Sequence, residues 1–501
     1  MKSVTRKYVC IYSAIFLLIL ITFFTIYKGL RKDFEPAKKE TEDPIKITMG
    51  IWDAYPLLSG DRLQREIENR FHVKFVPVQI NYANWTDAFQ KAAATDQLPD
   101  LISHSLSGTK TYQTWIEQGL IRSFPENLDA YPNLKSYITM DYIQNAKSDG
   151  KLWCLPRIGY ESEESWMFDR VIIVRKDWRE KLGLDVVSGR AELEELAVAF
   201  QNSDFDQNGK YDTSGIEISN MYKIDGLYQS DYPFLCNTEK GWIQENDKWI
   251  PAYASSEMKD ALDYIQDLYR REIINPNFFF QYPEDPVHNF INEKAGIFVG
   301  DLPEIVRLWC EKYPDRPVEE YLEIVRPWES PDGNRYHFTT MLHWSELYIS
   351  SSVDDEKMSR ILEIFDYLLS EEFYDLLDTD LRECPSSLLF FQLPKWNRDH
   401  FYSGTLWYKD MLPSESLKYI QKEMEWYKEN TIRVPYKWIP FHLSGIGENT
   451  LPNPDTIHTI MIECILDEKK ASEIWPEKFA EFADSIELSQ TIERVSPKLL
   501  D

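Results

Sequence analysis

Basic residues are in short supply in this chain. Lys and Arg number 55 against 83 Asp and Glu, a formal net charge of −28 over 501 residues. Nucleic-acid binding draws on clustered Lys and Arg that displace counterions from phosphate; no basic stripe is present, and that class is excluded. The same deficit excludes a peripheral protein held on anionic lipid by charge alone. Cysteine is sparse as well. The six are scattered, with no CxxC or zinc spacing, which argues against a disulfide framework and leaves buried free thiols. No P-loop, G-x-S-x-G elbow or H-E-x-x-H helix occurs, nor any repeat of solenoid period.

What is present is apolar and aromatic. A hydrophobic share of 43% and an aromatic share of 14% supply enough surface to offset the entropy of ordering, so the chain is globular. Its length suits three ordinary domains or two large lobes. Residues 8–27 (YVCIYSAIFLLILITFFTIY) hold no charge; as a helix at about 1.5 Å per residue they span a bilayer core of roughly 30 Å. Lys2, Arg6 and Lys7 precede the run, favouring a cytoplasmic N-terminus and an exported body, although Lys28, Arg31 and Lys32 follow it. The run ends without small residues that would mark cleavage, so it reads as an uncleaved anchor, with a cleaved signal as the alternative. Residues 31–43 are charged and read as a tether. The chain is thus expected to be a single-pass protein of the cell membrane, its main body on the extracellular face.

Beyond the tether, residues 46–52, 73–80 and 100–103 read as strands and 61–71 and 85–95 as helices, with Leu63, Ile67 and Phe71 spaced by four. Strand–helix alternation of this kind builds a parallel sheet. Ligands of such sheets sit beyond the carboxyl ends of the strands, which directs attention to Trp52, Asp53, Tyr55, Tyr82 and His104. A second region starts near Lys151, with strands at 171–175 and 295–299 and helices at 192–200, 261–269, 358–369, 454–466 and 471–486.

Residues 203–213 read SDFDQNGKYDT. Asp204, Asp206, Asn208, Lys210 and Asp212 fall at positions 1, 3, 5, 7 and 9 of a calcium loop, with Gly209 at the sixth. Alternate side chains of a tight loop converge their oxygens on a hard cation, and position 7 gives its carbonyl. Position 12 is Gly215 rather than Glu, so the usual bidentate ligand is missing. Structural calcium is the expectation; an Asx-rich turn closing a helix is the alternative.

The order of these pieces resembles the family 1 extracellular solute-binding proteins of bacterial ABC importers, the lipoprotein type of Gram-positive bacteria. LPDLISHS (98–105), WIEQGLIRSFPENLDAYPNLKSYI (115–138), DGKLWCLPR (149–157), VIIVRKDWREKLGL (171–184), the calcium-like loop, EKAGIFVGD (293–301), SPDGNRY (330–336) and the C-terminal helix pair carry the likeness over nearly all of 45–490. The lipidation motif is absent, and 378–387 lacks the Gly-rich turn expected there. The resemblance implies an α/β, two-lobed periplasmic-binding-protein-like fold of type II with hinge crossovers, here behind one N-terminal transmembrane helix. The first lobe is expected to comprise 45–160 plus 290–345 and the second 161–289 plus 346–501, with hinges near 157–171 and 303–350. It further implies a monomer that captures an oligosaccharide between the lobes and passes it to ABC permease subunits.

Sugar rings offer apolar C–H faces to aromatic rings, and their hydroxyls need donors and acceptors. Trp52, Tyr55, Tyr82, Trp85, Trp153, Tyr160, Trp166 and Trp344 are candidates for stacking, and Asp53, Arg157, Asp301 and Glu346 for hydroxyl contacts, with His104 beside them. Each has a plainer reading as core packing. Two other functions stay open: an anchored sensor reporting to a kinase, and a glycoside hydrolase or lyase, which needs two carboxylates about 5–10 Å apart that composition alone cannot single out.

Overall fold

The computed structural model describes residues 43–51, 60–78, 80, 85–106, 109–158, 166–205, 208–236, 241–282, 284–339, 342–380, 412–438 and 454–499. The apolar run at 8–27 and the tether lie outside them. Among the described residues no helix is long and apolar enough to cross a membrane.

In chain order the strands are β1 (Ile45–Gly50), β2 (Val73–Val78), β3 (Leu101–His104), β4 (Ile121–Arg122), β5 (Leu155–Ile158), β6 (Val171–Arg175), β7 (Ser214–Ile218), β8 (Gly241–Glu245) and β9 (Lys248–Pro251). They continue with β10 (Ala295–Gly300), β11 (Leu322–Val325), β12 (Tyr336–His337), β13 (His343–Ser350), β14 (Ile432–Arg433) and β15 (Lys437–Trp438). One sheet has the order β2-β1-β3-β13-β4, with β5 also on β13; another runs β11-β6-β10-β7, and two small sheets pair β12-β14 and β15-β8-β9. These two larger sheets, each with its own core, are the two lobes of a mixed α/β fold.

The first lobe starts as the pattern predicts. Asp61 accepts the Gln64 amide at 2.9 Å and starts the helix Arg62–Phe71; an N-cap carboxylate of this kind contributes about 1 kcal/mol. The chain ends that helix at His72, in the left-handed region at φ 51°. Leu63, Ile67 and Phe71 pack on Ile47, Ile102, Tyr348 and Ile361 in one core. In the second lobe β10 is central, so alternate residues enter different cores: Ile297 and Val299 join Trp178, Phe200 and Leu262, whereas Phe298 joins Ile173, Trp309 and Tyr427. Fully burying each such side chain contributes roughly 1.5–3 kcal/mol, which is why the strand carries no polar residue. Cys154, Cys236, Cys310 and Cys464 are free thiols.

Strand direction locates the crossings. The chain leaves the first lobe after Ile158, which stands beside His343 at the start of β13. It enters the second at Val171, which stands beside Gly300 at the carboxyl end of β10. Val325, at the carboxyl end of β11, lies beside Ile172, and from there the chain returns to His343. A third passage joins the helix Glu371–Asp380 to the helix Ser414–Asn430, whose Ile420 and Tyr427 lie in the second lobe's core.

The division expected from the sequence differs from this one in two places. Residues 290–325 belong to the second lobe, because β10 and β11 both pair with β6. Residues 346–369 belong to the first, because β13 is inserted antiparallel between β3 and β4 and the helix Asp355–Leu368 packs on that core. The second hinge is accordingly confined to 326–342 rather than 303–350. The physical cause is that an apolar strand carries no label for the sheet it joins.

Candidate functional site

The first two crossings link carboxyl-terminal edges, so the two lobes turn those edges toward a common boundary. In the first lobe a buried polar belt lies immediately under the edge. Glu346 stands opposite His104 in the β13–β3 register. Its carboxylate accepts the Leu106 amide at 2.9 Å and the Tyr348 hydroxyl at 2.8 Å, and pairs with His343 Nε2 at 3.0 Å. His343 Nδ1 meets the Tyr142 hydroxyl at 2.6 Å. Arg157 donates to Ser103 Oγ at 2.8 Å and Ser345 Oγ at 3.1 Å. His104 Nδ1 accepts the Ser105 amide at 2.8 Å, and its ring lies 5.3 Å from that of Phe89. Burial lowers the His104 pKa to about 4, outweighing the opposite pull of Glu346.

The second lobe has a charged belt at the matching level. Arg170, where the first crossing enters, donates to Asp225 at 2.5 Å and Asp169 at 3.0 Å. Lys223 reaches Asp169 at 2.8 Å. Burial would raise Asp169, but Lys223 and Arg170 overcome it and hold the carboxyl below its ordinary range. Asp301, just beyond β10, accepts the Glu304 amide at 2.8 Å and caps the helix Leu302–Lys312. Burial pushes Asp301 up to about 7; the Asp169 charge adds to this and Lys223 opposes it. Beside this belt Met167, Gly226, Gln229, Arg326 and Trp328 line a recess of about 20 Å³, room for a water and not for a sugar ring.

The residues singled out from sequence fall into three groups. Trp52, Asp53, Tyr55, Tyr82 and Tyr160 lie outside the described residues, and of Trp85 and Trp344 only the backbone is described, in a helix and in β13. His104 and Glu346 are brought together on one face of the sheet, while Arg157 joins Ser103 and Ser345 on the other; all three lie inside the lobe, at 3%, 0% and 1% exposure, and tie its strands together. The β period explains the split: successive side chains alternate between faces, and both faces of this sheet are buried. Trp153 is placed differently as well. It precedes β5 at the strand's amino end, against the first core and with Lys151 Nζ 5.7 Å from its ring, on the far side from the boundary. Trp166 and Asp301 do lie at the edge.

One feature was not read from the sequence. Ile274 pairs parallel with Ile216, so the chain after it runs with β7 toward the carboxyl edge, and the helix Asp285–Ile291 returns. Buried Glu217 holds this excursion by accepting the side-chain amides of Asn275 at 2.7 Å, Asn289 at 3.1 Å and Gln281 at 3.4 Å. On either side of Gln281, Phe280 and Tyr282 are 82% and 76% exposed, while Phe278 is buried. Two rings are thus presented to solvent on a tethered turn at the rim. The run NFFFQYP (277–283) was the available signal.

The calcium-like loop is folded on itself. Asp204 accepts the amides of Asn208 and Gly209, both at 3.0 Å, and Gly209 adopts φ 81°, where a side chain is strained. Asn208 donates to Asp212 at 3.1 Å and accepts the Lys210 amide at 2.8 Å. Asp206 lies outside the described residues. Gly215 cannot be Glu, because a Cβ there would meet the Ile273 carbonyl at 2.8 Å and that of Ala197 at 3.2 Å. Among the described residues no group of three or more His, Cys, Asp or Glu converges in a way that would hold a metal. The oxygen donors of the loop nevertheless suit a hard cation in kind.

No protein-family model matches the chain. It is 26% identical over 357 residues to the polygalacturonan/rhamnogalacturonan-binding protein YtcQ of Bacillus subtilis (strain 168), covering 70% of this chain and 68% of that one. With the fructooligosaccharide ABC transporter substrate-binding protein FusA of Streptococcus pneumoniae it shares 25% over 261 residues, 48% of this chain and 47% of FusA. Among solved structures, the alginate-binding protein AlgQ2 without calcium ion superposes with a TM-score of 0.68 at 15% identity, over 91% of this chain and 98% of that one. FusA in complex with kestose superposes at 0.64 and 15% identity, over 90% and 98%, and FusA has also been solved as an EF-hand mutant. The two-lobed fold is shared with solved ABC solute-binding proteins, and the resemblance read from the motif order holds: the relatives are named as a polysaccharide-binding protein and an oligosaccharide ABC transporter substrate-binding protein.

Proposed function

We propose that this chain captures an oligosaccharide at the boundary between its two lobes and delivers it to an ABC permease, acting as a binder and not as an enzyme. One observation carries the reading: the first two crossings join carboxyl-terminal edges, Ile158 beside His343 in one lobe and Val171 beside Gly300 in the other. A ligand lying across those edges touches both lobes at once. It therefore shifts the open–closed population through contacts available only in the closed form. The relatives' named ligands support a glycan.

Further parts of the reading rest on sequence and likeness, and the last on the exposure of two rings. Residues 8–27 anchor the body as a single membrane pass on the extracellular face, and the chain works as a monomer. Calcium in the 204–212 loop is held by Asp204, Asp206, Asn208 and Asp212 with the Lys210 carbonyl, and it stiffens the loop. Phe280 and Tyr282 stack a sugar at the rim.

The test is a titration of the full chain in detergent with a panel of oligosaccharides, followed by tryptophan fluorescence and by chromatography of the recovered sugar. Saturable binding with the sugar returned intact is expected, weakened about tenfold by Phe280→Ala with Tyr282→Ala, the range for losing one or two stacked rings. Sugar returned shortened or unsaturated overturns the reading in favour of an enzyme.

A further inference from the structure

The rim turn that carries Phe280 and Tyr282 is held by one buried carboxylate. Glu217 lies in β7 at 1% exposure, between Ile216 and Ile218. Burying a carboxylate opposes folding unless its oxygens are satisfied, and an apolar residue like either neighbour would fit the strand without that cost. The oxygens are satisfied from a single excursion of the chain. One accepts the side-chain amides of Asn275 at 2.7 Å and Asn289 at 3.1 Å, which ties the start and the return of the excursion. The other accepts the Gln281 amide at 3.4 Å, which ties its tip. Burial raises the Glu217 pKa, and these amides oppose the rise by favouring the ionised form.

Gln281 stands between the two exposed rings. Its side chain turns inward to Glu217, while those of Phe280 and Tyr282 turn out. Both rings are braced. Phe278 is buried in the second lobe's core, and Phe279 packs against it at 3.7 Å between ring centres and against Tyr269 at 5.5 Å. Phe280 in turn meets the Phe279 ring edge-on at 6.3 Å. The Tyr282 amide donates to the Asp285 carboxylate at 3.1 Å. All of this lies near the carboxyl edge: Glu217 stands beside Phe298 in β10, and Gly300 of the same strand stands beside Val171, where the first crossing enters. Two large rings left in water add nothing to the lobe's own core, whereas rings already fixed in place lose little further entropy when a ligand stacks on them.

We propose that Glu217 is a positioning residue of the sugar site: without touching the ligand, it holds Phe280 and Tyr282 where a sugar ring stacks on them. This rests on the reading of the chain as an oligosaccharide binder that uses these rings. Glu217→Gln keeps the size of the side chain but replaces one acceptor by an amide nitrogen that only donates, facing groups that already donate, so one part of the tether is released. Binding then weakens about tenfold, the range for two side chains that must be ordered on association.

The experiment is a double-mutant cycle on the full chain in detergent. Isothermal titration with fructo-, xylo- and galacturono-oligosaccharides finds the tightest oligomer. That oligomer is then measured against the parent, Glu217→Gln, Phe280→Ala with Tyr282→Ala, and all three changes together. Expected is a loss of about tenfold from Glu217→Gln alone and of less than about twofold once the rings are gone, because the carboxylate then has nothing to position. Equal losses in both backgrounds overturn the proposal, since a carboxylate that only stabilises the lobe acts alike with and without the rings. Gln281→Ala guards against a variant that fails to fold. It leaves the Asn275 and Asn289 bonds in place and is expected to weaken binding about threefold, with faster hydrogen exchange confined to 277–282. Unchanged exchange there shows that the tether does not hold the turn, and overturns the proposal while capture stands. Equal binding by the parent and the ring-deleted protein overturns ring stacking and the positioning role together, again leaving capture. No binding of any oligomer by the parent overturns capture as well.

Discussion

The guanidinium carbon of Arg170 lies 3.5 Å from the centre of the Phe338 ring. Arg170 ends the first crossing between the lobes and Phe338 lies on the second, so the two strands of the hinge are clasped by one cation–π contact. The clasp is backed by the pairing of Arg170 with Asp225 and Asp169, which fixes the guanidinium while leaving its face to the ring. Only glycine fits at 226 beneath it, because a Cβ there would meet the Arg170 carbonyl at 2.3 Å.

Phe338→Leu keeps the apolar volume and removes the ring. The loss expected is about 1 kcal/mol of stability, the size of a partly desolvated cation–π contact. Small-angle scattering of the ligand-free protein should show a broader distribution of interlobe distances. Unchanged scattering together with unchanged stability counts against the clasp.

His104 is buried with a pKa near 4, below the unfolded value of 6.5. The unfolded chain therefore binds a proton in this interval that the folded chain refuses. Its contribution is intact above about pH 6.5, and on the order of 3 kcal/mol is lost as pH falls to 4. His104→Asn keeps an acceptor for the Ser105 amide and lacks the titration. Thermal melts of the variant should lose less between pH 7 and pH 4.5 than those of the parent; equal slopes reject the assignment.

Asp301 has the opposite sign. Its pKa rises from 3.8 to about 7, so the folded chain holds a proton that the unfolded chain gives up, and stability is lost as pH rises through this range. Asp301→Asn preserves the cap on the helix Leu302–Lys312, with its side-chain oxygen still accepting the Glu304 amide. The variant should gain on the order of 4 kcal/mol at pH 8 relative to its effect at pH 4. A loss at both pH values would mean that the charge itself is needed at the edge.

Calcium is expected to raise the melting temperature by several degrees, since a ligand at 100 times its Kd contributes about 2.7 kcal/mol. Asp204→Ala should abolish that response, because Asp204 both supplies oxygen and accepts the Asn208 and Gly209 amides. Identical melts in calcium and chelator would leave the loop as an Asx turn.

Much of this protein was legible before any coordinates. The helix Arg62–Phe71 and the strands β1, β2 and β6 follow from local periodicity, since the pattern that buries one face is written in consecutive residues. The motif order of 98–105, 149–157 and 293–301 carried the family likeness, and the rule that ligands sit at strand carboxyl ends put attention on the right edge. The helices Leu302–Lys312 and Ser414–Asn430 went unread, the first behind a proline and the second in a mixed apolar and charged stretch.

Tertiary structure alone decided which sheet each late strand joins and which polar residues face outward. β10 is an apolar run and β13 a mixed one, and in both cases only pairing partners separated by more than a hundred residues send one to the second lobe and the other to the first. Glu346 and Arg157 read as ligand contacts because charge is rarely buried. Their partners, the Leu106 amide, His343, Ser103 and Ser345, come mostly from distant parts of the chain, and those long-range hydrogen bonds are what allow the charges inside.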